Sequence, residues 1–286
     1  MIAALSTRSL FQPKSLGDAL RMLRDEGPLT PLAGCTDLYV ALNFGTLDDR
    51  RFINLWGLEA LRTIEVRGGT LSIGALATYT DIMRSRLVAG WLPMLAAAAL
   101  EVGGAQIQNR GTIGGNVANG SPAGDTLPVL AAADAIVVLR SARDTRRVPF
   151  TDFYTGYRRS VRRADEIIVA FEIPRIRGRQ WFRKVGTRAA QAISKVVVAG
   201  IAYAPARRTA GGSGNRVSLA VGSVAPTVLR ARRTELALAN GASLEAAQRT
   251  LLEEIQPIDD VRSTADYRRR VAANLLAGFV NETSHR

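Results

Sequence analysis

Cysteine and histidine occur once each in this chain of 286 residues, as Cys35 and His285. A disulfide needs two cysteines, and zinc or iron–sulfur sites draw several ligands from these residue types, so neither can be built within the chain. A redox role would need an organic carrier. His285 reads as a solvated tail residue. Long apolar runs are missing too: none reaches the roughly 18 residues of a membrane span, and LPMLAAAALEVGG is stopped by Pro93 and Glu101. The opening MIAALSTRSLF has a short apolar patch with no basic residue ahead of it, a poor secretory signal, which makes the cytoplasm the expected location. A Walker loop is absent, since the nearest glycine spacing, Gly115 to Gly120, is followed by Ser121 and Pro122 rather than Lys and Ser/Thr. No GxGxxG run marks a Rossmann crevice.

What the chain does have is GTIGGNVANGSPAGD, Gly111 to Asp125, in which glycines surround Thr112, Asn116, Asn119 and Ser121. Glycine lets amide N–H groups turn toward one anion and approach it closely, so the stretch reads as a loop for a phosphate ester. An earlier loop, PLAGCTDLYV from Pro31 to Val40, sets Gly34 between the small Ala33 and Cys35, ahead of Thr36 and Asp37. It is expected to run into a helix through Leu42, presenting amides at a helix start where negative charge is favoured. Two such loops can grip opposite sides of a pyrophosphate. Cys35 is either a small residue permitting close approach or a reactive thiol.

The formal net charge of +13, from 38 Lys and Arg against 25 Asp and Glu, raises nucleic acid as a partner. The arginines, however, are dispersed in short clusters at Arg158 to Arg163, Arg207 to Arg208, Arg230 to Arg233 and Arg268 to Arg270, and no groove-reading motif accompanies them. A solvated surface or a docking face for acidic partners is the preferred reading, and no nucleic-acid partner is expected.

With 47% hydrophobic residues the chain can bury one large core or two modest ones. A helix is expected up to Gly27, with Ser15 as N-cap and Asp18 three residues on. Phe52 to Leu55 reads as a strand. Ile64, Val66, Leu71 and Ile73 alternate about a Gly68-Gly69 hairpin turn. Helices over Thr80 to Arg86 and Leu92 to Glu101 follow, then β-rich runs at Asp134 to Leu139 and Glu166 to Ile173 that would complete a mixed sheet. Beyond Gly178, strands at Gln180 to Val185, Lys195 to Ala204 and Val217 to Val224 fit a three-stranded antiparallel sheet with a turn at Ala210 to Asn215. Helices are expected at Thr227 to Leu238, Leu244 to Ile255 and Thr264 to Val280.

The two glycine loops, together with WFRKVGTRAAQAISKVVVA and RSTADYRRRVAANLL, resemble the FAD-binding medium subunit of the molybdenum hydroxylases, the xanthine dehydrogenase and carbon monoxide dehydrogenase family, whose loops look like AGGTDL and GTIGGNxxxxSPxxD. The likeness covers nearly the whole chain in order. It implies an α+β fold: a two-part FAD-binding domain of the vanillyl-alcohol-oxidase/PCMH type at about 1–60 and 61–175, then a C-terminal α+β domain at about 176–286. It implies one non-covalent FAD.

By the same resemblance Gly34, Cys35, Thr36, Asp37 and Leu38 form the first pyrophosphate loop, with Cys35 where glycine is usual and Leu32 and Ala33 just ahead of it also binding the cofactor, and Thr112, Gly115, Asn116 and Asn119 form the second. Asp125 would meet a ribose or ribityl hydroxyl, Val102 and Gly103 the adenine end, and Ile168 a strand near the flavin. Lys184 would lie near the isoalloxazine carbonyls and Arg188 in a loop over the ring. No catalytic residue is assigned. The resemblance further implies a large molybdenum-cofactor subunit and a small subunit with two [2Fe-2S] clusters, arranged as a dimer of heterotrimers. The large subunit would oxidise a purine, an aldehyde, an N-heterocycle or carbon monoxide, and electrons would reach NAD+ or another acceptor through FAD. Relatives with an extra [4Fe-4S] cluster carry a cysteine-bearing insertion that this chain lacks. A free-standing FAD oxidase or reductase is the alternative, which would need acid–base residues of its own.

Overall fold

The computed structural model describes residues 8–204 and 216–284. The expected Ala210 to Asn215 turn, Arg207 and Arg208, the N-terminal seven residues and His285 lie outside the described residues. The chain opens with β1 (Ser9–Phe11), α1 (Leu16–Glu26), β2 (Thr30–Leu32), α2 (Leu38–Asn43) and β3 (Arg51–Asn54). The three strands form a parallel sheet in the order β1-β3-β2. Ser15 caps α1 by accepting from the Asp18 amide at 3.1 Å, and the Asp18 carboxylate accepts from the Lys14 amide. The apolar face of α1, Ala19, Leu20 and Leu23, is buried with Ile53, Leu55 and Leu76.

The next segment contains β4 (Ile64–Arg67), β5 (Thr70–Gly74), α3 (Tyr79–Arg84), α4 (Arg86–Trp91), α5 (Pro93–Leu100), α6 (Ala105–Gln108), α7 (Ile113–Asn119) and α8 (Leu127–Ala132). It continues through β6 (Ile136–Arg140), β7 (Thr145–Pro149), β8 (Tyr154–Gly156), β9 (Arg159–Ser160) and β10 (Ile167–Pro174). Strands pair in the order β4-β5-β10-β6-β7, every pairing antiparallel, so the sheet is not the mixed one expected. The alternation of strand and helix misleads because all of α3 to α8 lies in one excursion between β5 and β6 instead of separating successive parallel strands. One row of apolar side chains, Ile64, Ile73, Phe171, Val137 and Val148, crosses the whole sheet in register.

The C-terminal part has β11 (Gly178–Val185), β12 (Val196–Tyr203), β13 (Val217–Gly222) and β14 (Leu229–Arg230), followed by α9 (Arg232–Ala239), α10 (Leu244–Glu254) and α11 (Ala265–Ser284). The antiparallel sheet therefore has the three expected strands plus a two-residue fourth, and α9 begins at Arg232 rather than at Thr227. Arg230 explains the extension: its guanidinium donates to the Ala131 carbonyl, Asp134 and Ser218 and pairs with Glu235, holding the segment extended against α8. The run VVVAGIA of β12 is buried on both faces. Val197, Ala199 and Ile201 belong to the large core of the preceding domain, while Val196 and Val198 face Ala272, Leu276 and Phe279 of α11. Gly200 is required there, since a Cβ would lie 2.5 Å from the Phe279 ring. One face of this sheet thus packs on the large core of the preceding domain and the other on α11, which docks the C-terminal domain against that core.

Candidate functional site

The first glycine segment leaves β2, passes Ala33 and Gly34, reverses at Cys35 and enters α2. Cys35 has φ +63°, the left-handed region that disfavours a side chain, and its Sγ lies 3.4 Å from the Ala33 carbonyl. Burial raises the thiol pKa, which works against the reactive-thiol reading. Among the described residues, the backbone N–H groups of Gly34, Cys35, Thr36 and Asp37 donate to no protein acceptor. Four successive free donors beside a cavity are a site for an oxyanion.

The second glycine segment is organised differently from the loop expected. It is the helix α7, with Thr112 as N-cap accepting from the Gly115 amide at 3.0 Å. The Ile113 and Gly114 amides already donate to the carbonyls of Ala77 and Ala75, at 3.1 and 2.8 Å. The glycines serve close packing instead. A Cβ on Gly114 would sit 2.6 Å from the Ala75 carbonyl oxygen, and one on Gly111 would sit 2.9 Å from the Tyr79 ring. Gly34 of the first segment meets the second directly: its Cβ would fall 1.7 Å from the Arg110 carbonyl oxygen. The two segments, far apart in sequence, therefore touch backbone to backbone.

Both line one open cavity of about 830 Å³, in the upper part of the range for small-molecule and cofactor sites. Of the residues singled out from the sequence, Leu32, Ala33, Gly34, Cys35, Thr36, Asp37, Leu38, Val102, Thr112, Gly115, Asn116, Asn119 and Ile168 lie in its wall. Asn116 is oriented by the Thr126 hydroxyl, which donates to its Oδ1 at 2.8 Å. The apolar Leu55, Leu61 and Leu76 line the cavity as well. Four expected residues stand outside the wall. Gly103, with φ +53°, packs on Ile107, which does line it. Asp125 and Lys184 are paired to each other at 2.7 Å, both buried, and the Lys184 ammonium also donates to the Glu101 carbonyl at 2.9 Å. Arg188 folds back on its own turn, donating to the carbonyls of Ala190 and Gln191.

Sequence reasoning missed Tyr79, Arg158, Arg162 and Glu166, all of which line the cavity. Tyr79 looks like core. Arg158 and Arg162 sit in a charge cluster that reads as solvated surface, and nothing local in the sequence distinguishes them from their neighbours.

The left-handed Cys35 gives a direct test. Cys35→Gly removes the strain at the cost of a more flexible unfolded chain, so stability should rise by about 0.5–1 kcal/mol. Cys35→Val should lower it, because a β-branched residue fits φ > 0 worst. Thermal unfolding of the three proteins checks the order.

The family model described as FAD binding domain in molybdopterin dehydrogenase matches residues 5–176, and that described as CO dehydrogenase flavoprotein C-terminal domain matches 181–283. The chain is 30% identical over 283 residues to the putative xanthine dehydrogenase FAD-binding subunit of Escherichia coli strain K12, covering 96% of this chain and 95% of that one. It is 37% identical over 193 residues to the nicotinate dehydrogenase FAD-subunit of Eubacterium barkeri, covering 65% of each. Among solved structures, a chain of the carbon monoxide dehydrogenase from Hydrogenophaga pseudoflava, in a form lacking the Mo-pyranopterin moiety of its molybdenum cofactor, superposes with a TM-score of 0.88 at 29% identity over 96% of both chains. The free amides, the backbone contact between the two glycine segments and these matches along nearly the whole length agree: the chain belongs to the family of FAD-binding medium subunits of the molybdenum hydroxylases.

Proposed function

We propose that this chain holds one FAD, non-covalently and extended through the cavity, and carries electrons between a small iron–sulfur subunit and a terminal acceptor. The contact between Gly34 and the Arg110 carbonyl is the observation that carries the reading, because it sets the free amides of Gly34 to Asp37 and the start of α7 on one wall. In this reading Gly34, Cys35, Thr36 and Asp37 donate to the diphosphate, Leu32, Ala33 and Leu38 complete that segment of the wall, Thr112, Gly115, Asn116 and Asn119 flank the diphosphate, Val102 and Ile168 lie toward the two ring ends, and Gly103 supports the wall through Ile107. Asp125 and Lys184 brace the wall from behind. Arg188, which folds back on its own turn in this structure, would belong to a loop over the ring.

Bound there, the flavin supplies exchange between single-electron carriers and a two-electron acceptor, and the protein supplies position and electrostatics. The domain division at about 60 and 175, NAD+ as acceptor, a dimer of heterotrimers and a cytoplasmic setting belong to the same proposal. The substrate, whether a purine, an aldehyde, an N-heterocycle or carbon monoxide, is chosen in the large subunit.

Purification of the chain with its co-expressed partner subunits should yield a complex containing molybdenum and iron, with one flavin per copy of this chain released by heat or acid. Reduction of that flavin by substrate, followed by its reoxidation with NAD+, should be visible in the absorption spectrum. A complex with iron and molybdenum but no flavin would overturn the reading.

A further inference from the structure

The geometry points to Arg158 as the cation that neutralises the diphosphate of the bound cofactor, supplied by the β8–β9 hairpin from outside both glycine segments. The inference rests on the FAD reading above. A diphosphate diester brings two negative charges, which backbone amides solvate but do not neutralise, and the Asp37 carboxylate on the same wall repels them. The cavity lining contains two cationic side chains, Arg158 and Arg162, and two acids, Asp37 and Glu166. Arg162 already donates through Nη1 to the carbonyls of Arg163 and Glu166, at 2.9 and 2.8 Å. It lies beside the carboxylate of Glu166, which Arg146 holds at 2.7 Å.

Arg158 is placed otherwise. Its Nη1 donates to Asn119 Oδ1 at 2.6 Å, a neutral acceptor on the last residue of α7, and its Nε donates to the Tyr157 hydroxyl at 3.3 Å. Among the described residues it has no carboxylate within ion-pair distance, and its Nη2 has no protein acceptor. A guanidinium held in place through Nε and Nη1, with Nη2 unengaged by the protein, suits a phosphate oxygen.

The hairpin is built to hold that position. Arg158 has φ +52°, an unfavourable conformation for a side-chain-bearing residue. Gly120, the left-handed cap of α7, lies against it: a Cβ there would be 3.4 Å from Arg158 Cα and 3.1 Å from the Tyr154 ring. The Tyr154 hydroxyl donates to the Val117 carbonyl at 2.8 Å. The hairpin is thus fastened to the C-terminal turn of α7. The charge also reaches Asp37, whose carboxyl is raised by the desolvating cavity walls although open to solvent, with Arg158 opposing that rise.

The test uses the full chain stripped of flavin, titrated with FAD and with riboflavin, which shares the ring but has no phosphate. Arg158→Gln should weaken FAD about 10- to 100-fold, leave riboflavin unchanged and flatten the dependence of FAD affinity on salt. Arg158→Lys should keep most of the salt dependence. Phenylglyoxal labelling of the unmutated chain, read by peptide mass spectrometry, supplies a measurement free of folding artefacts: FAD should protect Arg158 and riboflavin should not. Equal losses for FAD and riboflavin, unaltered FAD affinity and salt dependence in Arg158→Gln, or labelling indifferent to FAD would each overturn the inference. An unmutated chain that takes up no FAD would instead overturn the cofactor reading on which it rests.

Discussion

Gly34→Ala is expected to leave the protein folded but without FAD. The added methyl would sit 1.7 Å from the Arg110 carbonyl oxygen, 2.6 Å from its carbon and 3.2 Å from the Gly111 nitrogen, all backbone atoms with no rotamer to change. The Arg110 peptide cannot easily retreat. The amides of Arg110 and Gly111 both donate to the Ile107 carbonyl, and the Arg110 guanidinium stacks on Trp56 at 3.8 Å, whose ring also carries Arg62 at 4.1 Å. The two glycine segments must therefore part by at least about 1 Å, an overpacking strain of about 1–3 kcal/mol. For the cofactor the effect is larger, because hydrogen bonds to a charged group contribute about 1.5–3 kcal/mol each and several lose their geometry together. FAD affinity should fall by a factor of about 100 or more. Flavin content per chain and the dissociation constant check the first effect, thermal unfolding the second. Gly57→Ala is the control, since a Cβ there meets nothing within 4 Å. Full flavin content with ordinary affinity in Gly34→Ala would show that the segments do not meet as described.

Much of this arrangement is legible in the sequence wherever the controlling physics is local. Ser15 and Asp18 mark the start of α1, the Gly68-Gly69 turn lies between β4 and β5, and the apolar run from Lys195 to Ala204 marks the strand β12. The first glycine segment is readable because its chemistry is that of a short stretch of free amides. The second is not readable in kind: glycine permits an exposed loop and a tightly packed helix equally, and only the positions of Ala75 and Tyr79 decide between them. Arg158 and the Asp125–Lys184 pair are invisible for a related reason. Their roles come from partners 39 and 59 residues away in the chain, a spacing that no local pattern encodes. The antiparallel order of the central sheet is set by where α3 to α8 pack, again a tertiary fact.

Lys184→Met is expected to destabilise the protein in a pH-dependent way. Lys184 in β11 and Asp125, on the connection from α7 to α8, are 4% and 9% exposed, so the pair joins the two domains with little water present. Burial pushes the Asp125 carboxyl from the ordinary 3.8 up to about 6; the Lys184 charge and hydrogen bond oppose that rise and the Glu101 charge adds to it. Asp125 Oδ1 has no partner among the described residues, so Lys184 is the main stabiliser of the charged form. A native carboxyl that binds its proton more tightly than the unfolded one favours folding at pH below the unfolded value, and that contribution is lost as pH rises through the native value. In the unaltered protein the loss runs from about pH 4 to about pH 6. Without Lys184 the native value climbs, the loss continues past neutrality, and removal of one partner from a buried pair costs about 3–5 kcal/mol. Lys184→Met should therefore unfold at markedly lower temperature at pH 8 than the unaltered protein, with a smaller difference at pH 5. The double variant Asp125→Asn with Lys184→Met should recover most of the stability and lose the pH dependence, because no buried charge remains. Parallel stability–pH curves for Lys184→Met and the unaltered protein would mean that Asp125 has enough water or another cation beside it, and that the pair does not couple the domains.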